Sequence, residues 1–188
     1  MNIFILDECP VVAAQEHCDL HVNKMAVEIT QQCGSAVIRN GATPDMMPLT
    51  KKGTPLKGGY HNHPCTRWVG DSRDNFFWAI EHGLALCDEY SKRYGGKTHA
   101  CESQLEHLLT LAELIPEGPL TPFALAMEDV CRPQACHIKD GYLYHATGPT
   151  AVQAYRKFYH HKTTRMKVAW EKTRPAPTWW KGTWSAVQ

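Results

Sequence analysis

Between Ser72 and Tyr94 the apolar residues Phe76, Phe77, Ile80, Leu84, Cys87 and Tyr90 recur three and four positions apart, the spacing of one helix face. A second run, Val11 to Cys33, repeats the pattern with Cys18, Val22, Met25 and Ile29. Two amphipathic helices of this length must bury their apolar stripes against each other or against further helices, so a mostly α fold is expected. Pro10 suits the first turn of the earlier helix, Gly34 ends or interrupts it, and Gly95–Gly96 ends the later one. Shorter helices are expected at about Cys101 to Leu114, from Thr121 as N-cap with Pro122 behind it, from Pro149 to about Tyr159, and over "KTTRMKVAWEK". "MNIFIL" reads as a short apolar lead-in, strand-like or simply buried, and "HIKDGYLYH" as a small hairpin.

The rest of the chain does not repeat and offers no linker. Residues 40–64 form a long Gly/Pro-rich stretch, and "RPAPTWWKGTW" is an extended aromatic tail. Loops of that length inside a compact domain are often functional. Residues 1–188 are therefore expected to form a single compact helical domain with a long loop and an irregular aromatic C-terminal tail. Hydrophobic content of 43% and charged content of 21% allow a core without crosslinks. The 8 cysteines contain no CxxC pair and are expected to be reduced, mostly as small buried hydrophobes. No uninterrupted apolar run reaches the length of a membrane span, and "MNIFILDECP" lacks the basic n-region of a signal peptide. A cytoplasmic protein is expected, in the host cytoplasm if a phage encodes it.

Charge is unevenly spread. From Thr150 onward eight Lys and Arg face one acid, Glu171, a local balance of +7 within a chain of net charge +1. The segment 150–188 also interleaves those cations with rings: Tyr155, Arg156, Lys157, Phe158 and Tyr159, later Trp170, then Trp179, Trp180 and Lys181. Cations neutralise phosphates and aromatic faces stack on unpaired bases, so nucleic acid, DNA before RNA, is the expected partner.

The densest chemistry lies in "HCDLHVNKM". His17, His21, Lys24 and Glu28 fall on one helix face beside the apolar stripe, while Asp19 lies off it and would orient a neighbour. Three readings stand. The stripe is a solvated face, or His17 and His21 join His61 and His63 of "HNHPC" around zinc or iron in a metal-dependent hydrolase or oxygenase. Alternatively Lys24, flanked by imidazoles and apolar walls, is a nucleophilic amine with His17, His21 and Glu28 moving protons. Such an amine forms a Schiff base with a sugar C1′. The segment "YHNHPCTRWVGDSRDNFFW" adds Asn62, His63, Arg67 and Arg73 near a helix start, where donors make a seat for phosphate or a base edge. A binding module without catalysis, for nucleic acid or for a host protein, is the remaining alternative.

The layout resembles the phage-type pyrimidine-dimer DNA glycosylases, the endonuclease V type: small all-α proteins with an early polar helix, a long central helix and an "R-P-T-W-Y-K"-like tail. The matching residues are Ala13 to His17, the run "FFWAIEHGLALCDEYSKRYG", and Pro177, Thr178, Trp179, Trp180 and Lys181 after Arg174–Pro175. The chain also resembles a set of small phage proteins of unassigned activity that carry C-D-x-H-V-x-K-M and N-H-P-C-x-x-W patterns. The glycosylase resemblance implies DNA repair by N-glycosidic cleavage at damaged or modified pyrimidines, with Trp179, Trp180 and Lys181 engaging the nucleic acid. That family attacks the sugar with the amine of an N-terminal threonine, and position 2 here is Asn2. The family's catalytic glutamate falls near Lys24, with Glu28 one turn further on, so a lysine nucleophile is the expected rebuilding of the chemistry.

Overall fold

The structure is a computed structural model that describes residues 2–139 and 143–187. Helix α1, Pro10–Gln15, is followed by α2, Asp19–Arg39, and then by the long loop. Helices α3, Pro64–Val69, and α4, Arg73–Arg93, come next, then α5, Glu102–Leu109. Three short strands follow, β1, Phe123–Ala124, β2, His137–Lys139, and β3, Leu143–Ala146, and α6, Gly148–His161, completes the helices. The expected mostly α architecture is what the chain adopts. The expected hairpin exists as the antiparallel pair β2–β3, though residues 140–142 of its turn lie outside the described residues.

Helices α2 and α4 pack on each other, with α1 and α5 against α4. Ser72 caps α4 by accepting the N–H of Asn75, as its type predicts. The lead-in Ile3–Leu6 is buried but forms no strand, and Phe4 stacks on His21 and Phe158. Buried apolar residues from every helix join one cluster. Six of the 8 cysteines are buried, and all are free thiols. No helix among the described residues is long and apolar enough to cross a membrane.

Four segments differ from expectation, each for an identifiable reason. The run from Val11 is not one helix, because the chain breaks at residues 16–18, where buried Arg93 collects the carbonyls of Gln15 (2.8 Å) and His17 (2.7 Å) and Tyr159 takes the N–H of Cys18 (2.9 Å). Past the break, α2 runs through Gly34 without stopping; the glycine serves packing there, since Leu56 of the loop lies 3.0 Å from where a Cβ would stand. The segment after Thr121 is strand rather than helix. Phe123 and Ala124 pair with Ala146 and His145 of β3, and this pairing overrides local helix preference. After α6 there is a single short turn, Lys162–Thr164, in place of the helix expected over 162–172. The chain there is held extended by α2, whose Asp19 accepts the N–H groups of Glu171 (2.7 Å) and Lys172 (3.2 Å). Asp19 does orient a neighbour, and that neighbour is the tail.

Candidate functional site

Helix α2 is the spine of the polar chemistry. Lys24, Glu28, Gln31, Ser35 and Arg39 follow one another at three- and four-residue steps and make a single stripe along it. The loop crosses this stripe in the middle. Ser35 Oγ donates to the carbonyl of Gly59 (2.8 Å) and accepts its N–H (2.7 Å). Gly58 has φ +66°, and a Cβ there would meet the Ser35 backbone N at 2.7 Å, so only glycine permits the crossing. Two residues on, Tyr60 adopts φ 54°, a left-handed conformation that costs a bulky residue about 1–3 kcal/mol, and it leaves its ring 63% exposed.

His17 and His21 do not line a cleft. They are 0% and 2% exposed, in the core with Phe4, Tyr159 and His82. His17 Nδ1 pairs with the Ala13 carbonyl (2.7 Å) and His21 Nδ1 with the Tyr159 hydroxyl (2.9 Å). Burial pushes both imidazoles toward the neutral form, His21 down to about 3, with the Lys162 and Lys24 charges adding to the effect. The reason is geometric: α2 starts at Asp19, so His17 sits in the break between helices and turns inward. Enclosed in this way, the two imidazoles are out of reach of a substrate at the surface. His61 is exposed in a separate cleft, and His63 caps α3 by accepting the Cys65 N–H (3.2 Å). The four histidines form no ligand set, and among the described residues no group of three or more His, Cys, Asp or Glu is placed to hold a metal ion.

Lys24 and Glu28 do stand together, 3.6 Å apart, but the Lys24 side chain is 59% exposed and lies in no apolar enclosure. Glu28 is the better-held partner, 13% exposed, with Oε2 accepting the backbone N–H of Asn2 at 2.9 Å. Asn2 is in turn anchored, its amide donating to the Ala126 carbonyl and accepting from Tyr155. Position 2 thus pins the start of the chain against a carboxylate.

The amine that sequence reasoning placed only among the basic residues is Lys162, at the end of α6. Its ammonium sits 4.6 Å from the Phe158 ring centre and 5.6 Å from that of Phe4. Burial lowers its proton affinity; Lys24 and Arg165 act in the same direction, while Glu128 and Glu28 oppose. Glu128 also holds Arg165 (2.9 Å) and approaches His161 (3.8 Å). The only hint in the sequence was a cation directly following an aromatic helix end.

At the other end of the stripe, a cleft of about 470 Å³ is lined by Arg39, His61, Asn62, Arg67 and Asp71, among others. It gathers two of the expected substrate contacts, Asn62 and Arg67. Arg73 is not with them: its guanidinium binds Glu113 (3.2 Å) and the Ile115 carbonyl (3.3 Å), tying the start of α4 to the segment after α5. Trp179 and Trp180 are also elsewhere. Trp179 Nε1 donates to Glu16 (2.7 Å), and Trp180 stacks on His160 with centroids 4.4 Å apart. The tail therefore folds its rings onto α6 rather than offering both faces to a partner; Lys181 alone of that trio is exposed. Half of the basic segment is engaged at home as well: Arg156 by Asp7 and Glu16, Arg165 by Glu128, Arg174 by Glu89, and Lys167 by Glu171.

No protein-family model, no curated protein and no solved structure matches the chain.

Proposed function

We propose that the chain is a DNA N-glycosylase/lyase-like enzyme acting on damaged or modified pyrimidines, and that its amine is Lys162 in place of Lys24. The observation that carries this reading is a half-buried lysine over two aromatic rings, beside the partly buried carboxylate Glu28 and the cations Lys24 and Arg165. An amine whose charge is disfavoured by burial spends more time as the neutral nucleophile. It attacks the sugar C1′, the glycosidic electron pair leaves with the base, and a nearby acid supplies the proton. The attached nitrogen then gives up a proton and its electron pair forms the C=N bond as the C1′–O4′ bond breaks, O4′ taking a proton to become the 4′-hydroxyl, which opens the sugar ring to the C1′ imine. Glu28 is the group suited to proton transfer, and the exposed ammonium of Lys24 is suited to a flanking phosphate. The choice of DNA and of pyrimidine comes from the resemblance described above.

Borohydride reduction in the presence of DNA bearing an abasic site tests it. The unmodified chain should form a covalent adduct, Lys162→Arg should reduce trapping to background, and affinity for the same DNA should change less than about threefold because the charge is kept. Lys24→Arg should leave trapping intact. Peptide mapping of the adduct to Lys24 or to the amino terminus would move the reaction off Lys162, and absence of any adduct would end the amine reading.

A further inference from the structure

We propose that the cleft between the end of α2 and α3, lined by Arg39, Arg67, His61 and Asn62, seats a backbone phosphate of single-stranded DNA, and that Tyr60 stacks on an adjoining base. The ligand is chosen on the polynucleotide reading above, but the site does not depend on imine chemistry.

Three features of one short segment converge. Two guanidiniums against one carboxylate, Asp71, leave the cleft positive, and Asn62 and His61 add side-chain hydrogen-bonding groups beside them. Its volume of about 470 Å³ falls within the range of small-ligand clefts. The loop that carries Tyr60, His61 and Asn62 is held rigidly at both ends, by the Ser35–Gly59 bond pair before it and by the α3 cap at His63 after it. At the turn itself the His63 N–H donates to the Tyr60 carbonyl at 2.9 Å. A solvated turn at this position would favour glycine or asparagine. The chain instead places there a tyrosine with its ring largely in solvent. An exposed ring on a held backbone, next in sequence to His61 and Asn62 of a cationic cleft, is an arrangement that suits unpaired bases, since every base offers a π-face.

The position also suits the Lys162 site. Arg39 lies fifteen residues beyond Lys24 on the same stripe, about 22 Å along the helix axis. A stacked strand covers that in about six or seven nucleotides at ~3.4 Å each. The loop crossing at Ser35 lies between, so a strand reaching from one end to the other passes the ridge that bears Tyr60.

The test uses fluorescein-labelled oligo-dT of eight nucleotides, titrated by anisotropy with the full chain. Tyr60→Gly should weaken binding roughly 5- to 100-fold, the range of a lost base stack, while raising the melting temperature because glycine relieves the backbone. Tyr60→Phe keeps the ring and should bind as the unmodified chain does. Arg67→Gln should flatten the slope of log K against log salt by about 0.7, one single-strand phosphate contact. Unchanged affinity in Tyr60→Gly, an unchanged slope in Arg67→Gln, or no binding by the unmodified chain would each overturn the proposal. Trapping assays on the same preparations separate the two readings. A probe bound through the cleft without an adduct defeats only the imine reading, and an adduct with unaltered affinity in Tyr60→Gly defeats only this one.

Discussion

Acidification should unfold this protein at about pH 4–5, and the transition should take up close to three protons beyond those of its carboxylates. His17, His21 and His82 are all held below the ordinary imidazole value by burial, His21 at about 3 and His82 at about 4. The groups around them reinforce this: His17 faces His82, His21 and Arg93, and His21 faces Lys162 and Lys24. For a group whose folded pKa is depressed, the unfolded chain binds the proton first. Stability is therefore complete above the unfolded value near 6.5 and falls as pH drops toward the folded values. Each imidazole contributes about 1.4 kcal/mol per pH unit inside that window, so three contribute ~4 kcal/mol per unit. Even part of that window is a large share of the stability of an ordinary domain. Glu16 opposes the trend, because burial raises its carboxyl and the folded state takes that proton more readily, but it is one group against three. Urea midpoints measured by tryptophan fluorescence across pH 7 to 4 give the proton count directly. A stability flat between pH 6.5 and 5 would show that these rings are not neutral core residues. His82→Phe should remove about one proton from the linkage.

The same histidines show where sequence pattern stops being informative. Spacing placed His17, His21, Lys24 and Glu28 on one face, but it assumed a continuous helix. What broke the helix was Arg93, seventy-six residues from His17, and no local signal announces a distant guanidinium. The long helix α4 and the loop at 40–64 were legible because each is written in periodicity or Gly/Pro content. Asn62 and Arg67 were legible as contacts of one cleft because they are near in sequence. The tryptophan doublet was misread for the opposite reason. Trp179 and Trp180 resemble a binding tail in composition, yet their partners are Glu16, in the break far earlier in the chain, and Tyr159 and His160 of α6. Lys162 reads in sequence only as one more basic residue because part of its enclosure is Phe4, at the other end of the chain.

Replacing Glu89 by alanine should destabilise the protein by about 3–5 kcal/mol, lower its melting temperature by roughly 10 °C and free the tail. The Glu89 side chain is 1% exposed and serves two guanidiniums. Arg93, fully buried, approaches Oε2 at 3.0 Å through Nε, and Arg174 binds both oxygens at 2.8 and 2.7 Å. The cost of the substitution comes less from the attraction lost than from what remains, a buried Arg93 with only Asp19 to balance it at 3.1 Å. Arg93 also supports the α1–α2 break through the Gln15 and His17 carbonyls, so the helix that carries Lys24 and Glu28 begins where this network puts it. Arg174 is the tail's share of the same network. Arg174→Ala should cost less, since its side chain is 35% exposed and Glu89 keeps Arg93, but it should still release residues 166–187 to protease. Glu89→Gln, which keeps the shape and part of the hydrogen bonding, should fall between the two. Urea unfolding of the three variants, with limited proteolysis read at the Lys and Arg residues 167–181, checks the order. A Glu89→Ala protein within about 1 kcal/mol of the original would mean that the tail is held by its tryptophans alone, with the buried charges contributing nothing net.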